Sequence, residues 1–124
     1  MWRELVVVVS GESDERRVED SLAKFGSLTV VQDRHYHLTN IGGEYEIEVA
    51  FDALADEYSD AERKVMAACC ADPRTILVLY MEVPPLSTFF AALPAHAWVD
   101  AEAPGNLKLV RPAEALEIVG RRTY

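Results

Sequence analysis

The sequence predicts an α/β (α+β) fold, in which a C-terminal extension follows a ferredoxin-like βαββαβ core. Two segments, residues 5–9 and 75–81, are apolar at consecutive positions, which is typical of strands covered on both faces. A third segment, residues 44–51, alternates glutamates with apolar side chains, as a strand with one buried and one exposed face does. Two helical patterns separate these strands, so the element order is ferredoxin-like, with both helices expected on one face of the sheet.

The chain length favours a single domain. Its 124 residues lie within the usual range for one domain, which we assign to residues 1–124, with the core at 1–83 and the extension at 84–124. Half of the residues are apolar and 27% are charged, which is ordinary globular usage, so we expect an ordered fold throughout.

Two segments carry helical signals. In the first, acidic residues open the pattern, and Val18, Leu22 and Phe25 recur at helical spacing. In the second, Ser59 and Glu62 have the spacing of a capping box and precede an apolar helical face. Both segments are therefore predicted to be helices that pack on the sheet.

A hairpin is predicted in the middle of the core. Residues 28–39 are extended in character and are interpreted as one strand, with a break in alternation at residues 30–31 that indicates a bulge or a change of cover. Residues 40–43 include two glycines and an asparagine, which tolerate the positive φ angles of a turn. Residues 28–39 and 44–51 are therefore expected to pair.

The extension is predicted to add one or two strands and short helices to the core. A helix is expected at residues 86–93, short strands at 98–101 and 107–110, and a final helix at 113–119. A ferredoxin-like order would leave the apolar strand 75–81 at a sheet edge, where it would invite aggregation. We therefore expect one of the two short strands to pair beside it, in a mixed sheet of five or six strands.

The predicted hairpin places acidic and histidine side chains on one outer face. With the two strands paired, the candidate partner-binding residues on that face are Asp33, His35, His37, Glu44, Glu46 and Glu48. A polar outer face is ordinary for an antiparallel hairpin, but three glutamates on alternate positions of one strand repel one another. The repulsion favours a basic partner that would neutralise the face.

Other motifs carry little chemical information. His35 and His37 have a spacing that can chelate a metal, but two ligands do not define a site. Cys69 and Cys70 are adjacent, so an ordinary disulfide between them is disfavoured, and both are interpreted as packing residues of a helix. The glycines at residues 42–43 lack the spacing of a phosphate loop. No catalytic residue, metal site or cofactor is predicted.

Charge and hydrophobicity limit the expected partners and compartment. The formal net charge is −9, which would repel the phosphate backbone of nucleic acids. The N-terminal apolar stretch is too short for a secretion signal, and no apolar run approaches the roughly 20 residues that a membrane-spanning helix needs. A cytoplasmic protein that binds neither nucleic acid nor membrane is expected.

Size, acidity and the lack of catalytic motifs together suggest a small non-catalytic binding protein that neutralises a basic protein partner. The most concrete form of this hypothesis is an immunity or inhibitor protein for a bacterial nuclease-type toxin. One alternative is a small-molecule-binding domain or small enzyme, with a site between the sheet and the C-terminal segment and with His35, His37, Tyr36 or Tyr80 as polar contacts. Another is a homodimer formed by pairing sheet faces or edges.

Overall fold

A computed structural model describes residues 2–51, 57–102 and 107–122. The strands are β1 (Arg3–Ser10), β2 (Ser27–Gln32), β3 (His35–Thr39), β4 (Glu46–Phe51), β5 (Pro73–Tyr80), β6 (Trp98–Asp100) and β7 (Leu109–Val110). The α-helices are α1 (Gly11–Ser21), α2 (Asp60–Cys69), α3 (Val83–Ala91) and α4 (Pro112–Arg122), and a short 3₁₀ turn (Leu22–Lys24) follows α1. None of these described helices is both long enough and apolar enough to cross a membrane.

The strands of the described residues form one antiparallel sheet of seven, in the order β2-β3-β4-β5-β1-β6-β7. The pair at its centre, β5 and β1, is matched over eight positions, from Arg3 opposite Tyr80 to Ser10 opposite Pro73. The prediction of a strand covered on both faces is met by β1, where residues 5–9 are all buried. It is met only in part by β5, which buries Ile76, Val78 and Tyr80 on one face and leaves the residues between them partly exposed.

The prediction of a mixed α/β fold is confirmed, but the strand order is not ferredoxin-like. That order would place β5 at an edge, whereas β5 lies between β4 and β1. The short strands at the C-terminal end do not pair with it: β6 pairs with β1, and β7 pairs with β6. The apolar strand is thus protected by its central position, and the sheet is entirely antiparallel among the described strands.

The helices lie on both faces of the sheet, so the prediction that the two core helices share a face is wrong. α1 with the 3₁₀ turn that follows it, α3 and α4 pack on the face that we call the covered face, and their buried side chains include Val18, Leu22, Leu86, Phe89, Phe90, Ala115 and Val119. On the other face, α2 places Met66 against Val6 and Val8 of β1. Alternation along β1 therefore supplies two separate apolar clusters.

The segment 28–39 forms two strands where one was predicted. Asp33 and Arg34 make a tight turn between β2 and β3, with Arg34 at φ 53°. The expected bulge is confirmed, because the pairing with β3 shifts register between Val30 and Gln32. The predicted hairpin also forms, since β3 pairs with β4 across a loop in which Gly42 has φ 69°.

Helix ends follow the sequence signals with some differences. The capping box is confirmed: Ser59 Oγ accepts from the backbone N–H of Glu62, whose side chain accepts from the Ser59 N–H. α3 begins three residues earlier than predicted, because prolines 84 and 85 fit the first turn of a helix, where no N–H is needed. α4 extends past the predicted end and includes Gly120.

Candidate functional site

The sheet presents a polar surface where α2 does not cover it. On β3 and β4, side chains on the α2 side of the sheet are partly exposed, and we call this surface the open face: His35, His37, Thr39, Glu46 and Glu48. Alternation produces it, because the intervening residues Leu38, Ile47 and Val49 point to the covered face and are buried. The open face is therefore a rigid, backbone-paired platform of polar groups.

Histidine and glutamate are paired on the open face. Nε2 of His35 lies 3.2 Å from Oε2 of Glu48, and Nε2 of His37 lies 3.2 Å from Oε2 of Glu46. Both pairs are diagonal in the register, since His37 is directly opposite Glu48. The two imidazoles thereby hold the two carboxylates in defined positions while leaving them partly exposed.

The other two predicted face residues lie outside the strands. Asp33 is exposed in the turn between β2 and β3, and Glu44 is exposed in the loop before β4. Four of the six predicted residues are therefore brought together on the open face, and the turn at Asp33 explains why that residue is not among them.

A cavity of about 370 Å³ adjoins the open face at the Glu46 end. It is lined by Thr39, Asn40, Glu44, Tyr45, Glu46, Met81 and Glu82. Three carboxylates share this cavity with an aromatic ring and a thioether, so it suits a cation on an apolar stem. Glu82 was not predicted as a site residue, because it comes from the junction of β5 and α3, far from the hairpin in sequence.

Metal binding has no support in the geometry of the described residues. They contain no group of three or more His, Cys, Asp or Glu side chains placed to hold a metal ion. His35 and His37 each have a glutamate as partner instead. The cysteines are free: Cys70 is buried as predicted, while Cys69 is exposed, contrary to the packing prediction. Burial raises the pKa of the Cys70 thiol, against the opposing effect of a hydrogen bond with Ser10.

A second polar cluster, which the sequence analysis missed, lies at the end of α1. Arg34 Nη2 is 3.0 Å from Glu19 Oε1 and 3.2 Å from Glu15 Oε1, and its guanidinium carbon is 5.1 Å from the centre of the Phe51 ring. The hydroxyl of Tyr36 donates to Glu19 Oε2. This cluster ties α1 to the β2–β3 turn and to the end of β4.

The protonation states in this cluster follow from its contacts. Burial acts to raise the pKa of Glu19, but the hydrogen bonds from Tyr36 and Arg34 outweigh it and lower that pKa. The same hydrogen bond to Glu19, together with burial, raises the pKa of Tyr36 to about 12. Tyr36 is therefore a neutral donor at pH 7 and Glu19 an anion.

Glu15 is the most unusual member of the cluster. It is 1% exposed, and its Oε2 has no hydrogen-bond partner within the described part of the chain. Helical spacing is the feature of the sequence that indicates this burial. Glu15 precedes Val18 by three residues and Leu22 by seven, so it lies on the same buried face. The arrangement fits a structural ion-pair network, in which Arg34 and Arg74 lie near the same carboxylate oxygen.

The four polar contacts of the alternative small-molecule site do not converge. His35 and His37 are on the open face, whereas Tyr36 and Tyr80 belong to the covered face. The volume between the sheet and the C-terminal helices is occupied by buried side chains, among them Phe89 at 1% exposure.

Comparisons with protein-family models, with curated proteins and with solved structures find no match to this chain.

Proposed function

We propose that the protein is a small acidic binding protein without catalytic activity that neutralises a basic protein partner. Its most concrete form is an immunity or inhibitor protein that acts in the cytoplasm on a bacterial nuclease-type toxin. The observation that carries the proposal is the open face, where two glutamates of β4 stand partly exposed, each beside a histidine of the paired strand β3.

Charge supports this choice of partner. The chain has a formal net charge of −9, so a basic protein is attracted over a distance before contact. A nuclease holds a polyanion and therefore presents cationic side chains around its active cleft. Carboxylates that occupy such a cleft would exclude the nucleic acid by competing for the same cations.

Rigidity of the face also supports binding. Glu46 and Glu48 belong to β4, whose other neighbour is the central strand β5, so their backbone positions are determined by the sheet. The diagonal partners His37 and His35 restrict the two carboxylates further. A preorganised surface loses less conformational entropy when a partner binds.

The adjoining cavity would accept one side chain of the partner. A lysine or arginine could lay its aliphatic stem against Met81 and Tyr45 and present its charge to Glu44, Glu46 and Glu82. Arginine fits especially well, because its flat guanidinium can stack on an aromatic ring while it binds a carboxylate.

The test is affinity capture from lysate of the source cell, followed by an activity assay on the captured protein. The tagged protein is compared with a variant in which Glu46 and Glu48 of the open face and the neighbouring Glu44 are replaced by lysine. We call it the open-face variant. A matched control replaces three exposed glutamates elsewhere, at positions 57, 114 and 117, and so changes the net charge equally. We expect one stoichiometric basic partner that is lost only from the open-face variant and whose activity the protein inhibits.

Two results would refute the proposal. One is equal capture of the partner by the open-face variant and by the control variant, because binding would then depend on total charge or on another surface. The other is a captured partner that is acidic or that keeps full activity in the complex.

The cavity favours one second candidate, a binding site for a small organic cation. A cavity of about 370 Å³ with three carboxylates suits a diamine or guanidine compound. A ligand that binds only the folded state raises the melting temperature. Thermal denaturation with putrescine, spermidine and arginine, on wild-type and on Glu82→Gln, tests this candidate. A shift that is equal in both proteins would refute it.

A further inference from the structure

The outermost strand, β2, is exposed along its whole length. All six of its residues are exposed, and it contributes three of the large exposed apolar side chains of the described chain: Leu28 at 37%, Val30 at 63% and Val31 at 53%. One of its backbone edges pairs with β3, and the other forms the border of the sheet. An edge of this kind is a template for another strand.

The two borders of the sheet differ in their protection. At the β7 border the strand has two residues, Lys108 precedes it and Pro112 follows it closely. Short length, lysine and proline are devices by which proteins prevent edge pairing. Strand β2 has none of the three: it is six residues long and contains neither proline nor any charged residue. Its bulge, which is another such device, lies at the C-terminal end between Val30 and Gln32. Residues 27–30 therefore form a regular edge that is open to pairing.

We propose that β2 pairs antiparallel with β2 of a second copy of this chain, about a two-fold axis that passes beside Thr29. When a strand pairs antiparallel with its own copy about a two-fold axis, the residues directly opposite each other share a face, so their numbers have the same parity. With Thr29 opposite its own copy, Leu28 lies opposite Val30 of the other protomer. This register joins exposed leucine and valine on one face and two threonines on the other, and both combinations are favourable cross-strand pairs.

The absence of charge on β2 identifies a second copy as the occupant. Two chains of net charge −9 repel one another over most of their surfaces, and like charges placed opposite each other in a ladder are destabilising. β2 is a segment where two copies can meet without opposing charges. A basic partner, in contrast, would gain no charge complementarity from this strand.

The dimer would be closed and would leave the open face free. A two-fold contact uses the same strand on both subunits, so it stops at two, and the β7 border is too short to continue the sheet. Thr29 is opposite His37 and is on the same side of the sheet as the open face, so the two open faces lie side by side. The inference does not depend on the proposed function.

Cysteine cross-linking tests the register directly. Cys69 is exposed and is first replaced by serine to remove its thiol. In that background Thr29→Cys would place two cysteines directly opposite, within about 5.5 Å between Cα atoms, as a disulfide requires. Ser27→Cys on the same strand is the control, because four residues of offset separate the two thiols by about 14 Å. We expect a covalent dimer from Thr29→Cys alone.

Sedimentation equilibrium of the Cys69→Ser protein and its variants tests the edge independently. Val30→Lys introduces a charge into the proposed pair, and we expect the dimer dissociation constant to rise at least about tenfold, which corresponds to about 1.4 kcal/mol. Val65→Lys, at an exposed valine of α2, is the matched control and should leave the constant unchanged. A monomer at all concentrations, a dimer insensitive to Val30→Lys, or equal cross-linking at positions 27 and 29 would overturn the inference.

Discussion

Glu46 reaches diagonally to His37, with 3.2 Å between its Oε2 and Nε2 of the imidazole, although Thr39 is its partner in the backbone register. Glu48 makes the same diagonal contact with His35. The repeat arises because the two strands offer histidine and glutamate on alternate positions of one face. Each carboxylate is thus oriented by a neighbour and also remains partly open to a partner.

Replacement of both histidines tests whether capture of a partner depends on the charge of the two glutamates alone or also on how the imidazoles orient them. In the double variant His35→Gln and His37→Gln, the carboxylates of Glu46 and Glu48 lose partners that are worth less than about 1 kcal/mol each at partly exposed sites. We expect thermal stability to be nearly unchanged and capture of a basic partner to be retained, with affinity that falls as salt increases. Loss of capture by a folded variant would mean that binding requires the imidazoles, either to orient the carboxylates or to contact the partner directly.

The Glu19 carboxylate should make stability depend on pH in the acid range. Its pKa is lowered from 4.5 in the folded state, where Tyr36 and Arg34 outweigh the effect of burial. Its stabilisation is therefore present above the unfolded pKa and is lost as the pH falls through the lower folded pKa. Glu19→Gln should reduce the free energy of unfolding by about 1–2 kcal/mol at pH 7 and by much less at pH 3.

Urea denaturation at the two pH values measures this difference. Glu117→Gln is the control, because that glutamate is exposed on α4 and its ion-pair partner among the described residues is Arg121 at 3.8 Å. It should lower stability by less than about 0.5 kcal/mol at either pH. A Glu19→Gln effect of equal size at pH 3 and pH 7 would contradict the assigned charge of the cluster.

The carboxylate of Asp100 accepts hydrogen bonds from residues 58, 102 and 108. Its Oδ2 accepts from the Tyr58 hydroxyl at 3.0 Å, and its Oδ1 accepts from the backbone N–H groups of Glu102 and Lys108, each at 3.2 Å. Burial raises the pKa of Asp100 in spite of these bonds, and burial also raises the pKa of Tyr58, which therefore remains a donor. The carboxylate thus accepts from the Tyr58 hydroxyl before α2 and from two backbone N–H groups that follow β6.

Removal of the Asp100 carboxylate should lower the free energy of unfolding more than removal of the Tyr58 hydroxyl. Asp100→Ala leaves the buried Tyr58 hydroxyl and two part-buried backbone N–H groups without their acceptor. Because a buried unsatisfied group costs about 1–3 kcal/mol, we expect the free energy of unfolding to fall by more than about 2 kcal/mol. Tyr58→Phe removes one donor only and should cost about 0.5–1.5 kcal/mol. Chemical denaturation of both variants measures the difference, and equal losses would argue that the carboxylate is not the centre of this network.

Strand identities were accessible from the sequence, but strand neighbours were not. The apolar run at residues 75–81 predicts a buried strand, and β5 is central, with Ile76, Val78 and Tyr80 buried on one face and the residues between them partly exposed. Periodicity describes the two faces of a strand and carries no information about which strand lies beside it. The two strands that are apolar on both faces, β1 and β5, are neighbours at the centre of the sheet, and the periodicity of neither strand predicts that pairing.

The candidate site was predictable where it depended on alternation and was missed where it depended on tertiary contacts. His35, His37, Glu46 and Glu48 were placed on one face by period-two reasoning alone. The turn at Arg34 was not foreseen, because its positive φ angle is supported by ion pairs with glutamates of α1, 15 or more residues earlier. Local sequence does not record such contacts.

Two backbone segments approach each other closely at Gly26. A Cβ atom at this position would lie 2.2 Å from the carbonyl oxygen of Thr39, which belongs to the backbone and has little freedom to move. Gly26→Ala should therefore force β3 away from the end of the first helical segment and cost about 1–3 kcal/mol.

Gly120→Ala, in contrast to Gly26→Ala, is expected to stabilise the protein. Gly120 lies within α4, and an added Cβ would meet no atom of the described chain within 4 Å. Alanine should stabilise the helix by about 0.5–1 kcal/mol through its higher helix propensity. Thermal denaturation of both variants gives the comparison. Because the two glycines differ in what surrounds them, a destabilisation of similar size at both positions would contradict the close contact between residues 26 and 39.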